Sequence, residues 1–501
     1  MKEVQGLPEV VITLAGRRLR PADAGAVSSV HVRTALAQPS QCVLVWDVDE
    51  GQPAEPAPGD ALRVEIGGRR TPLFVGEVTV IEHAYGADGS RQVRVRAYDA
   101  LHRLRKRQST RVLPDVELTA LATVLCAGTG LVVVGPQHQL GTVYQCARSD
   151  LDLLVETSAR VGAYPVVDGA ALRLVRLGGD GEPLDLALGS TLHSAELEVS
   201  QEPAFRSVAT ARWDPASATG TTRRVEDHSA RAGTRADAAP HAVGGGGLRV
   251  RADEVLSDDA LASSLAQAEL DVRSAGEATA TLVADGDPAL RAGCRVRVSG
   301  VDRSLEGTFA VTEAVHVIDG SGYETTLSTR PPAAPPSRAR DQVTLGVVTD
   351  VDDPEGRARA KVSLLAYPDL VTPWAPVLVA AAGPGKGAVV LPDAGDTVLV
   401  MLVAGDPAQA VVLGGLYGTG QVPDADESGP RGGRFTVRTR GGQSVCLDSA
   451  AHRVVLTDGH GSEVELGPDL LRITSATDLL IEAPGRAMRV RARSVDFEEA
   501  T

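Results

Sequence analysis

The sequence predicts a mainly β protein assembled from several small barrels, and three observations carry that expectation. Apolar and polar residues alternate over short runs: in RQVRVRAYD, Val93, Val95 and Ala97 face one way while Arg94 and Arg96 face the other. Turn formers are abundant, with 53 glycines and 30 prolines, and only 3% of residues are aromatic, so packing relies on Val, Leu and Ala. A chain of 501 residues exceeds one ordinary core and implies about two to four domains.

Taken in order, residues 1–110 read as strands at 9–14, 28–34, 41–48, 61–66, 72–85 and 91–97. A first helix follows, with Asp115 as N-cap, Leu118, Leu121, Ala122 and Leu125 on one face, and Gly128 closing it. A second starts at Ser149 with Asp150 and Asp152 in its first turn. It buries Leu151, Leu154, Val155 and Ser158 and ends at Arg160 and Gly162, charges that suit the helix dipole. Both helices are expected to plug barrel ends. Strands resume at 163–167, 171–177, 196–201 and 207–213. The polar stretch 214–247 reads as a long exposed loop. A third helix is expected over 257–274, with Leu261, Leu265, Ala268 and Val272 inward, followed by three or four strands up to residue 330. The run PPAAPPSRAR at 331–340 reads as a semi-rigid linker.

From residue 342 the runs VTLGVVTDV, ARAKVSLL, WAPVLVAA, GAVVL, DTVLVMLV and AVVLGGL predict five or six strands in under 80 residues, the density of an OB-type Greek-key barrel at 341–420. Over 431–501 the pattern changes. Apolar pairs recur: Phe435 and Val437, Val445 and Leu447, Val454 and Leu456, Val464 and Leu466, Leu471 and Ile473, Leu479 and Ile481, Met488 and Val490, Val495 and Phe497. Strands this short bury little within one chain and leave a face and edges open. Three copies wound about one axis would cover them, as a triangular β-prism with these pairs inward. The intermingled charges of RVRARSVDFEE read as its wet face.

Several chemistries are disfavoured. A formal charge of −15 argues against general nucleic-acid binding. Within 342–418 the basic residues Arg357, Arg359, Lys361 and Lys386 are outnumbered by acidic ones, and the aromatics are only Tyr367, Trp374 and Tyr417. AGPGKGA at 382–388 has neither the Walker spacing nor the following Ser or Thr, so it reads as a turn, and no nucleotide or other cofactor is expected. Asp350, Asp352 and Asp353 are followed by Pro354 with no closing glutamate, which reads as a charged turn. Cys42, Cys126, Cys146, Cys294 and Cys446 form no CxxC pair and read as reduced thiols. The histidines show no metal spacing; His452 and His460 on the last segment read as solvent-facing. No GxSxG elbow is present, so no catalytic residue is assigned. The N-terminus lacks a signal-peptide core, so synthesis in the cytoplasm is expected.

The order of motifs resembles the central hub and spike of contractile injection machines: phage baseplate spikes, VgrG proteins of type VI secretion and extracellular relatives. Densest are Asp353, Pro354, Gly356 and Arg357; Trp374, Pro376 and Val377; Ala382, Gly383 and Gly387; Pro392, Gly395 and Asp396; Gly405, Asp406 and Pro407; Gly414, Tyr417 and Gly418. Before the linker, AYDALHRL at 97–104 and QCARSDLDLL at 145–154 carry the likeness, with 290–300, 305–309, 315–317 and 322–326.

The resemblance implies a hub at 1–330 with two β-barrel subdomains, the OB barrel as collar, and a trimeric β-helix needle at 431–501. Its axis would be lined by Val445, Leu447, Val454, Leu456, Val464, Leu466, Leu471, Ile473, Leu479, Ile481, Val490, Val495 and Phe497. Implied partners are two further copies, inner-tube and baseplate proteins, a separate PAAR-like tip protein and effector cargo, with contact to a target envelope on firing. Alternatives from other classes are a cell-wall hydrolase, for which 419–433 leaves too little room for an inserted domain, and a nucleic-acid-binding OB protein.

Overall fold

The computed structural model describes residues 8–20, 26–47, 56–146, 148–214, 219–226, 247–251, 259–333, 341–367, 370–383, 385–418, 422 and 433–498. The chain divides into two compact units, Met1–Leu416 and Tyr417–Thr501. Most of the linker, 334–340, lies outside the described residues.

The region before the linker, the hub of the resemblance, is mainly β, as the alternation predicts, and its barrel-like halves are hydrogen-bonded to each other. One eleven-stranded sheet runs through both, joined where Glu313–Asp319 pairs antiparallel with Val27–Ala35. Each half keeps its own core: Leu44, Trp46, Val64 and Val95 in one, Leu282, Val296, Phe309 and Leu327 in the other. The pairing across the boundary gives the edge strand of each half a hydrogen-bonded neighbour.

Among the described residues, three α-helices lie beside these halves. Helix α1, Leu118–Leu125, buries the four predicted residues, but Asp115 does not cap it: Asp115 sits at φ 42° in the preceding turn, and the N-cap position is Glu117 with no side-chain cap bond. Helix α2, Asp150–Arg160, starts as expected, with Ser149 Oγ accepting from the Asp152 N–H at 3.1 Å. Helix α3, Asp259–Ala275, buries Leu261, Leu265 and Ala268. All three share one apolar cluster with Leu172 and Leu174. The predicted loop 214–247 contains a strand in its described part, Thr219–Val225, paired antiparallel with Ser207–Asp214; residues 227–246 lie outside the described residues. Strand Asp180–Ala187 was invisible in the sequence because its polar residues break the alternation.

The two hub motifs are structural devices. Asp99 is buried, and its carboxylate accepts from Ser40 N–H at 2.7 Å and Leu101 N–H at 3.0 Å. That pins the turn Ala100–Lys106, whose Leu101 and Leu104 are fully buried. In the second motif, Gln145 Nε2 donates to Asp150 Oδ1 at 2.8 Å, and Arg111 reaches both side chains. These bonds tie the start of α2 to the two-stranded sheet of Arg111–Leu113 and Val143–Gln145.

The OB barrel comprises β1 (Gln342–Asp350), β2 (Arg359–Leu364), β3 (Ala375–Pro376), β4 (Thr397–Leu402) and β5 (Ala410–Gly415), in the order β3-β2-β1-β4-β5. Val348, Val362, Leu364, Val398, Val400 and Val412 fill its core. Two predicted strands differ. WAPVLVAA shortens to β3 plus a bridge from Val377 to Val412, and GAVVL is not a strand: Val389 and Val390 are exposed, with no ladder partner.

The last segment begins as a five-strand antiparallel meander: β6 (Arg434–Arg438), β7 (Ser444–Asp448), β8 (Arg453–Thr457), β9 (Glu463–Leu466) and β10 (Leu471–Thr474). Beyond Thr474 the expected pairs carry no strand in the single chain; Leu479, Ile481, Met488, Val490, Val495 and Phe497 are all exposed. An isolated short pair has neither a ladder partner nor a face to pack on.

Candidate functional site

Register turns the meander into a surface. Each apolar pair lies directly opposite the next, giving one column of Phe435, Leu447, Val454, Leu466 and Leu471 beside another of Val437, Val445, Leu456, Val464 and Ile473. Because alternate residues of a strand share a face, both columns lie on the same one. The other face carries Thr436, Cys446, Glu465 and Arg472 around Val455, with Arg453 Nη1 3.9 Å from Glu465. One face is therefore mainly polar, and the other is a continuous apolar strip.

Among the described residues of the chain's second unit, nothing buries that strip. Phe435 is 64% exposed, Leu471 59% and Ile473 54%, while Val454 and Val464 at the centre are half-buried. Contiguous apolar patches beyond a few hundred Å² on a soluble surface mark interaction sites. The open end of the meander is stapled by Asp448, which is buried and accepts from Arg434 Nη2 at 2.8 Å and from the Ala450 and Ala451 N–H groups at 3.0 Å. Those backbone donors and the Arg434 guanidinium hold its carboxyl below the usual range. This staple was missed in the sequence, although β6–β7 pairing places Arg434 opposite Asp448.

The motif residues of the OB barrel are spread around it as turn and cap positions and do not converge on a pocket. Trp374 is half-buried with Lys361 Nζ 4.5 Å above its ring, and Pro376 pairs with Arg359. Gly383 and Lys386 exchange backbone bonds of 3.1 Å in a tight turn. Gly387 follows at φ +132°, where a Cβ would stand 2.6 Å from the Ala381 carbonyl oxygen, so the glycine is a steric necessity. Pro392 leads into the turn where the Asp396 carboxylate accepts from Asp393 N–H, and Gly395 and Asp396 exchange backbone bonds with Val348. Gly405, Gly414 and Gly418 take positive φ; Pro407 is buried and Tyr417 exposed. Asp406 caps the turn Pro407–Gln409 by accepting from Ala408 N–H at 2.9 Å. Tyr144 and Cys146 of the hub pack against the barrel core beside that turn, and burial there raises the Asp406 carboxyl despite Arg160 and Arg148 nearby.

In the charged turn, the Asp353 and Asp350 carboxylates have protein partners. Asp353 is bonded to Arg359 at 2.6 and 2.9 Å, Arg359 also meets Glu355 at 3.1 Å, and Asp350 pairs with Lys361 at 3.6 Å. Among the described residues, no three His, Cys, Asp or Glu side chains gather as metal ligands. His452 and His460 are exposed. The five cysteines are free, and burial raises the thiol of Cys42. No helix among the described residues is long and apolar enough to cross a membrane.

Comparison with known proteins matches residues 344–417 to the type VI secretion system/phage-baseplate injector OB domain. No curated protein matches the sequence. Among solved structures, the Francisella PdpA–VgrG complex (half-lidded) aligns at 9% identity with a TM-score of 0.56, covering 94% of this chain and 89% of that one. The E. coli c3393 protein, described as a component of the type VI secretion system with structural similarity to T4 tail proteins gp27 and gp5, aligns at 13% identity and 0.52, covering 81% and 99%. At such identities the likeness speaks for the fold. Residues 344–417 thus match the injector OB domain, within a chain whose fold is similar to that of VgrG proteins.

Proposed function

We propose that the protein is a structural hub and spike of a contractile injection machine and works as a homotrimer. The hub at 1–330 would seat on the inner tube within the baseplate, the OB barrel at 341–420 would form a collar, and residues 431–501 would wind with two other copies into a needle that punctures the target envelope on firing. A PAAR-like protein would cap the needle, and cargo would ride on the assembly. No catalytic step is assigned to this chain.

The observation that carries this reading is the pair of uninterrupted apolar columns on one face of β6–β10. Half-exposed aliphatic side chains gain roughly 1 kcal/mol each on burial, so closing the strip is worth on the order of ten per chain. A lone meander gains none of it. Needle rigidity would then come from interchain pairing, in which many hydrogen bonds must break together.

Val464→Asp tests it at the centre of the strip, where three carboxylates would be driven into a dry axis. The expected result is a full-length chain with an intact hub that no longer trimerises at micromolar concentration. A variant that assembles as the wild type does would place Val464 off the axis and sink the arrangement.

A further inference from the structure

The outer face of the OB barrel is built as a contact surface. On β1, β4 and β5 the inward positions form the core, yet the outward positions are also apolar. Val343 stands opposite Met401, which stands opposite Val411, and Leu345 lies opposite Leu399. Leu365 joins this second row, its N–H bonded to the Leu345 carbonyl at 3.0 Å. Val343 is 54% exposed, Leu345 41% and Leu365 58%. The next row, Ser363, Val347 and Thr397, is uncharged too. Strands apolar on both faces are those of sheets covered on both sides; a solvated face alternates with polar residues.

Six aliphatic side chains on so small a barrel make a patch of a few hundred Å², below the roughly 800 Å² per partner that a free-standing complex needs. That size suits a partner already tethered nearby. Such a partner exists if the C-terminal segments associate: β5 ends at Gly415 and β6 begins at Arg434, so each barrel hangs within about 65 Å of extended chain from the shared β-structure. At tether-set effective concentrations, commonly millimolar, a contact too weak to form alone is populated. We infer that the outer face of β1–β4–β5 packs against a neighbouring copy of this chain, with Leu345 and Met401 at its centre. The inference rests on the trimeric reading above and adds the surface by which the barrels meet.

Leu345→Glu in the full chain tests it, since an outward, partly exposed leucine can be replaced without disturbing the barrel of a single copy. Mass, thermal melting and the rate of peroxide oxidation of Met401, resolved by peptide mass, are measured for both proteins. The expected result is a trimeric wild type with slow Met401 oxidation. The variant is expected to remain trimeric through its C-terminal segment while Met401 oxidises at least about fivefold faster and the barrel melts about 5 °C lower. A trimeric wild type whose melting and Met401 oxidation match the variant's would overturn the contact and leave the trimer standing. A monomeric wild type would overturn both.

Discussion

At the residue scale, burial decides the ionisation of groups that the sequence shows only as isolated letters. His316 is 2% exposed, with Tyr323 Oη and Thr325 Oγ1 at 3.1 and 3.0 Å from Nδ1, and burial pushes its pKa down to about 4. The unfolded chain therefore takes up a proton below about pH 6.5 that the folded hub refuses, and stability falls as the pH drops from there towards 4. Hub unfolding in urea at pH 7 and pH 5 should show His316 responsible for about 2 kcal/mol of the difference; His316→Asn should lose that part of the slope, and equal slopes would remove the assignment. Asp353 also loses its contribution as the pH falls but for the opposite reason, because bonding to Arg359 favours its charged form and holds its carboxyl well below the usual range. Its contribution is present above the ordinary aspartate pKa and is lost only in strong acid, so Asp353→Asn should lower OB-barrel melting at neutral pH. Gly387 was legible in the sequence as a turn residue. The Arg359 partnership was not, since which carboxylate of that acidic turn faces the arginine depends on strand register.

At the scale of elements, alternation located most strands, and the misses share a cause. GAVVL has the composition of a strand but no neighbour to pair with, while Asp180–Ala187 has poor composition but a parallel partner in Cys294–Ser299. Pairing outweighs local propensity in both. The helix stripes were readable because 3.6-residue spacing is local; the Asp115 cap failed because capping depends on a backbone angle that spacing does not reveal. Within the meander, Ile473→Asp and Val464→Asp should both prevent trimer formation, as read by the trimer-to-monomer midpoint on dilution. Unchanged assembly of either variant would argue against a strip buried along its length.

For the whole molecule, the fold bears out the β character and the OB barrel expected from the sequence. The sequence did not reveal that one sheet spans both hub halves, because the pairing of Glu313–Asp319 with Val27–Ala35 joins residues nearly 300 positions apart. Nor did it reveal the seat of Tyr144 and Cys146 on the barrel core. The central claim is that one chain is an incomplete folding unit at its C-terminal end and three complete it. The mass of the purified full-length chain at micromolar concentration, by sedimentation equilibrium, tests this most directly. The account predicts a single species of three chain masses that persists on dilution; a stable monomer with β6–β10 folded would contradict it.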